Sequence, residues 1–264
     1  MLGICRTNRF LIWVSVSARI TVTSLFYRTA AVGSNVERRA LENRDREDFP
    51  SHSSLLVVGP PGVGKFEYLT GLAKSWIASG ERVVFVTLDL APDDVRARAG
   101  ELGLDIPTAE PGSFLFVDGY AANGLAAEPR PGPRQFTVTS FSNLESIGMT
   151  LQKAALELKP PVRILFYTLS TLFLHNSPQA IAKFLQIITS RVKATMGFIA
   201  YAVQEGVHEP MTMNLLRSLT DGVVELRFTA DLEREVRLHH LRGKWVNSQW
   251  QPLALAQSVE AVAP

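Results

Sequence analysis

The chain has 264 residues, which suits one sizeable α/β domain of about 200 to 250 residues with an appendage and is too short for two. Its 46% apolar and 20% charged residues exclude wholesale disorder and a collagen-like design. The net charge of +2 is uneven: residues 1–36 hold Arg6, Arg9, Arg19 and Arg28 and no acid, a share of +4 that leaves the rest at −2, so no nucleic-acid partner is indicated despite the pI of 8.8.

The apolar run Phe10 to Ala18 is too short to cross a membrane and is closed by Arg19. The acid-free, Arg- and Ser/Thr-rich composition up to Asn35 has features of a transit peptide or a poor signal peptide. A disordered extension, or a reading frame opened too far upstream, explains it as well and is preferred. Residues 37–48 mix both charges densely, as a short solvated helix or linker does. The expected division is an extension over 1–50, a folded domain over 51–256 and a tail over 257–264. Cys5 is the one cysteine, so nothing asks for an oxidising compartment, and a cytoplasmic location is expected.

From Ser54 onward, short β-rich apolar runs alternate with helical stretches, the mark of a mostly parallel central sheet flanked by helices. Strands are expected at Leu55 to Val58, Arg82 to Leu88, Ser113 to Val117, Arg163 to Leu169 and Gly197 to Val203. Helices are expected at Lys65 to Ser79, Pro92 to Leu102, Leu144 to Leu158, Pro178 to Thr195 and Met211 to Leu219. A Gly/Pro-rich loop from Gly119 to Arg134 is longer than a compact connection needs. The end differs: Gly222 to Phe228, Glu233 to Leu241 and Gln249 to Leu253 read as antiparallel strands.

Between the first strand and first helix lies Gly59-Pro60-Pro61-Gly62-Val63-Gly64-Lys65-Phe66. Such a loop turns successive backbone N–H groups toward one centre, needs glycine where φ is positive, and ends at a helix N-terminus that favours an anion. Lys65 would reach the β and γ phosphates of a nucleotide. The eighth position departs from the pattern, since a Ser or Thr hydroxyl there ligates Mg2+ and Phe66 has no oxygen.

Together with further runs, this loop resembles the KaiC-like ATPases and their RadA and RecA relatives. The runs are Phe85 to Asp89 followed by Ala91-Pro92, Phe116 to Tyr120, Ser142-Asn143-Leu144, Asp221 to Val224 and His240 to Gly243. The resemblance spans roughly Ser54 to Leu255 and implies a RecA-like P-loop NTPase fold that binds ATP between subunits of an oligomer. It implies a glutamate pair after the second strand, where this chain has Asp89 and Leu90. Asp89 would be a shortened base. It implies a Walker B aspartate where this chain has Tyr167, so both protein groups that organise Mg2+ are replaced. Gln204 matches a polar γ-phosphate sensor or is a simple strand-end residue. Arg242 matches an arginine finger acting on a neighbouring subunit or is a solvated hairpin residue, with His240 in place of a lysine. His239 and His240, adjacent on a strand, are expected to face opposite ways, and no metal site is expected from the histidines.

Three functions remain open. One is a KaiC-like ATP-binding regulatory protein with weak or absent hydrolysis, Mg2+ being doubtful. Another is a working ATPase that uses Asp89 or Asp118 as its acid. The last is an interaction module that no longer binds nucleotide.

Overall fold

The computed structural model describes residues 49–123 and 135–253. Residues 1–48 of the proposed extension, the tail and most of the long loop, residues 124–134, lie outside the described residues. Strand β1 (Ser54–Gly59) leads through the phosphate-type loop into α1 (Lys65–Ala78), followed by β2 (Val83–Thr87), α2 (Pro92–Glu101), a short α3 (Ile106–Ala109) and β3 (Phe114–Asp118). Next come β4 (Gln135–Thr137), α4 (Leu144–Leu158), β5 (Val162–Tyr167), α5 (Pro178–Arg191), β6 (Gly197–Gln204), α6 (Pro210–Leu219), β7 (Gly222–Phe228), β8 (Arg234–Leu241) and β9 (Gln251–Pro252).

Among the described residues these strands form one nine-stranded sheet in the order β4-β3-β2-β5-β6-β1-β7-β8-β9. All neighbouring pairs from β4 to β7 are parallel, and β7-β8 and β8-β9 are antiparallel. This is the expected α/β class with an antiparallel finish. Parallel central strands are covered on both faces, which is why β1 is buried along its whole length and reads as an unbroken apolar run. Alternate residues serve the two cores: Leu56 and Val58 pack with α4, α5 and α6, while Leu55 and Val57 pack with α1, α2 and α3. No helix among the described residues is long and apolar enough to cross a membrane.

Several boundaries differ from expectation for local reasons. The helix expected to run to Thr195 stops at Arg191, and Val192–Met196 continues as a wider π turn. It ends at Gly197, whose φ of 128° and close approach to the Val162 carbonyl, 2.5 Å from where a Cβ would lie, require glycine. The strand expected to reach Leu169 ends at Tyr167, and Leu169–Leu174 is a 3-10 helix. Strand β4 and helix α3 were not expected, being only three and four residues long. The α3 start is capped by the Asp105 side chain, which accepts from the Thr108 N–H at 3.2 Å. The final strand shrinks to Gln251–Pro252. His239 is the extra residue of a bulge, since Val223 faces His240 and Val224 faces Leu238. The expected opposite facing of the two histidines is thereby corrected: their ring centres lie 5.6 Å apart.

At the end of the sheet where β1 begins, Asp221 joins four segments. Its carboxylate accepts from the Ser54 N–H and hydroxyl, each at 3.0 Å, and from Lys193 at 2.6 Å. Arg242 lies 3.1 Å from its other oxygen, and the Asp221 N–H donates back to the Ser54 hydroxyl. Burial alone would raise the carboxyl pKa, but Lys193 and Ser54 outweigh it and hold the group below its ordinary value. The stability this contributes is present above the ordinary aspartate range and is lost as pH falls through the lowered value. Asp221→Ala is expected to cost about 2 to 4 kcal/mol at neutral pH, because buried donors lose their acceptor. In thermal unfolding followed by circular dichroism, the gap from wild type should shrink below about pH 4. Equal midpoints at neutral pH, or a gap that ignores pH, would refute this role.

Candidate functional site

The carboxyl ends of the parallel strands bring Gly59, Thr87, Tyr167 and Gln204 to one edge of the sheet, the edge where α/β proteins bind ligands. Gly59 cannot carry a side chain there, since a Cβ would lie 2.8 Å from Val63 Cγ1 and 2.9 Å from the Leu226 carbonyl. Pro60 and Pro61 stiffen the turn, and Gly62 and Gly64 hold φ values of 76° and 107°. Gly64 is the N-cap of α1, so the chain passes from a left-handed residue directly into the helix start, where the backbone N–H groups have no partner within the helix.

Lys65 is 4% exposed. Its ammonium donates to the Gly59 and Pro60 carbonyls, both at 2.7 Å, and to Gln204 Oε1 at 2.9 Å. Burial lowers its pKa to about 8, against the pull of Glu205 and Glu67. Gln204 is the residue opposite Gly59 in the β1-β6 pairing. Its N–H donates to Ser170 Oγ at 2.9 Å, and that oxygen lies 2.9 Å from His208 Nε2. His208 packs on Phe173 with ring centres 4.3 Å apart, and burial lowers its pKa.

Phe66 and Tyr167 touch. The Phe66 ring meets Tyr167 edge-on at 5.6 Å and Phe85 at 6.2 Å, and Phe66 is 2% exposed. Burial raises the Tyr167 pKa, and the nearby Asp89 charge raises it further, so its phenol stays protonated at neutral pH. Asp89 accepts from Thr168 Oγ1 at 2.8 Å and from Thr171 Oγ1. The neighbouring Leu90 contributes its carbonyl to the Thr87 hydroxyl at 2.6 Å.

These residues do not fit Mg2+. Phe66 offers no oxygen, Tyr167 offers a neutral phenol, and Asp89 is already engaged by two hydroxyls. Among the described residues no group of three or more His, Cys, Asp or Glu is gathered as a metal site.

Two other sequence candidates stand apart from the loop. Asp118 ends β3, four strands from β1, or about 19 Å at the usual strand spacing. It accepts from Gln135 Nε2 at 2.6 Å and from the Ala121 N–H, and burial raises its pKa. Its carboxylate is thus engaged within its own neighbourhood at the β3 end. Arg242 follows β8 and pairs with Asp221 beside Ser54, at the opposite end of β1 from Gly59. Any action on a phosphate loop would have to be on another chain's.

The sequence did not single out Arg98, whose guanidinium carbon lies 4.3 Å from the Phe66 ring centre, or Thr171. Neither sits in a motif, and only the folded chain brings Arg98 to Phe66 and Thr171 to Asp89. Ser170 lies in the Thr168-Leu169-Ser170 run that follows Tyr167.

UPF0273 protein PH0284 of Pyrococcus horikoshii is 25% identical to this chain over 159 residues, 60% of this chain and 62% of that protein. The match thus spans less than two thirds of that relative's length. The crystal structure of the KaiC-like protein PH0186 from the same archaeon superposes with a TM-score of 0.61 at 16% identity, covering 79% of this chain and 88% of that one. The fold is therefore RecA-like, of the KaiC-like kind. A family of unknown function, DUF7504, matches residues 52–226, and the chain belongs to that family.

Proposed function

We propose that this domain binds ATP without organising Mg2+, hydrolyses it weakly or not at all, and acts as a regulatory protein whose conformation follows the nucleotide. The observation that carries this reading is the pairing of an intact loop with the Phe66-Tyr167 contact. From Gly59 to Lys65 the chain keeps the backbone and the ammonium that a polyphosphate needs. In the next residue it keeps nothing that a metal needs.

The ammonium rests on two loop carbonyls and Gln204, so binding requires it to exchange these acceptors for phosphate oxygens. Gln204 is then released, and its link through Ser170 to His208 offers a route to the segment leading into α6. Among the described residues Asp89 is the acid this reading assigns to activating water, and its two threonine donors already occupy it. Weak hydrolysis follows. Self-assembly belongs to the same reading: with Arg242 at the far end of β1, a finger role needs a second copy.

A second reading, an interaction module that binds no nucleotide, is favoured by the saturated hydrogen bonding of Lys65. Calorimetric titration with ATP, with and without Mg2+, separates the readings. Expected is binding that Mg2+ changes by less than about threefold and that Lys65→Ala weakens about 10- to 100-fold, the value of a lost charge-assisted contact. Absence of binding at millimolar ATP leaves the interaction module. Turnover that requires Mg2+ and collapses in Lys65→Ala would instead establish a working ATPase.

The pH dependence is a separate check. Protonated Lys65 is the binding form, and its pKa of about 8 means that the free protein loses this charge as pH rises through that value. ATP affinity should therefore decline above about pH 8 in the wild type and stay flat over the same range in Lys65→Ala. A flat wild-type profile from pH 7 to 9.5 would contradict the assignment.

A further inference from the structure

A nucleotide's phosphates normally meet Mg2+, which bridges the β and γ oxygens and neutralises their charge. Without it, Lys65 is the cation of the loop itself, and Glu67 and Glu205 lie close enough to act on it. Phosphate oxygens brought to this loop therefore need another positive group.

Helix α2 supplies a candidate. It carries two arginines that differ in their surroundings. Arg96 is engaged by Asp93 at 2.8 Å and by Glu110 at 2.5 Å, and it covers the Phe116 ring, so it is a structural residue. Arg98 has a looser position. Its carboxylate neighbour among the described residues is Glu67 at 3.7 Å, beyond hydrogen-bond length, and its side chain is 41% exposed. What holds it is an aromatic face: the guanidinium carbon sits 4.3 Å from the centre of the Phe66 ring. Its charge is also felt at Tyr167, where it opposes the influence of Asp89.

The cation is thus held against the residue that follows Lys65, and it is felt at the other metal-organising position, Tyr167. We propose that Arg98 takes the metal's part, its guanidinium moving from the Phe66 face to bind the terminal phosphates of a metal-free nucleoside di- or triphosphate held by the loop. This rests on the nucleotide-binding reading above. The chemistry is suitable, since a guanidinium is always charged and presents a planar fork of donors that matches two phosphate oxygens. Phe66 then has a positive role as the platform of the cation. A serine or threonine there would hold a metal but not an arginine.

The test is calorimetric titration of wild type, Arg98→Ala and Arg98→Lys with ATP, ADP and AMP in the presence of EDTA. Arg98→Ala is expected to weaken ATP binding about 10- to 100-fold, ADP less and AMP hardly at all, with Arg98→Lys in between. Thermal unfolding of each variant shows whether the fold is kept. A wild type that binds no ATP would overturn the nucleotide reading and this inference with it. A wild type that binds, with Arg98→Ala binding ATP equally well, overturns this inference alone. An equal loss for all three nucleotides would show that Arg98 only supports Phe66, and would overturn it too.

Discussion

The edge-on contact between Phe66 and Tyr167, with ring centres 5.6 Å apart, is the constraint on which the character of this site depends. The two positions come from distant segments, one at the first turn of α1 and one at the end of β5. The fold brings them together because β5 lies two strands from β1 and α1 packs back over both. The resemblance to KaiC-like ATPases implies that these positions would share a metal shell there. Two aromatic rings there are mutually consistent: each buries the other, and the pair contributes about 0.5 to 1.5 kcal/mol beyond simple burial. One polar replacement would face a ring instead of a partner. The departure at each position therefore makes the other more stable, and neither reads as an isolated loss.

The surroundings adjust to the same constraint. Asp89, with no metal-organising partner beside it, is held by Thr168 and Thr171. Tyr167 keeps its proton, and Arg98 rests on the outer face of Phe66. The loop itself is less changed. Its glycines keep their positive φ values, and Lys65 remains buried at the cost of a lowered pKa, offset by three short hydrogen bonds. Burying an amine in this way is unfavourable unless it is fully bonded, and Lys65 meets that condition through Gly59, Pro60 and Gln204.

Much of the fold was legible because its signals are local. The run Leu55 to Val58, followed by glycines, prolines and Lys65, fixes a strand, a loop and a helix start in a few residues. Asp221-Gly222 was legible only as a motif, and its physical basis lies in the Ser54 contacts and in the Leu55 side chain 2.7 Å from where a Gly222 Cβ would sit. That Phe66 and Tyr167 carry no metal-binding carboxylate or aliphatic hydroxyl could be read directly from the sequence. The replacements for them could not. Arg98 looks like Arg96 in the sequence, and only tertiary packing separates the ion-paired residue from the one on an aromatic face. The π turn after Arg191 and the bulge at His239 were hidden for a related reason. Each is set by what the segment packs against, Gly197 beneath β5 in one case and the β7 register in the other.

The central claim, a phosphate cradle whose metal centre has become an aromatic pair, is most directly tested by a crystal structure of the protein grown with ATP and Mg2+. Expected are phosphates on the backbone of residues 61–66, Lys65 withdrawn from the Gly59 and Pro60 carbonyls, and the Phe66-Tyr167 contact intact with no metal bound by protein oxygen. A Mg2+ ion coordinated by Asp89 freed from its threonines, with the two rings driven apart, would contradict it.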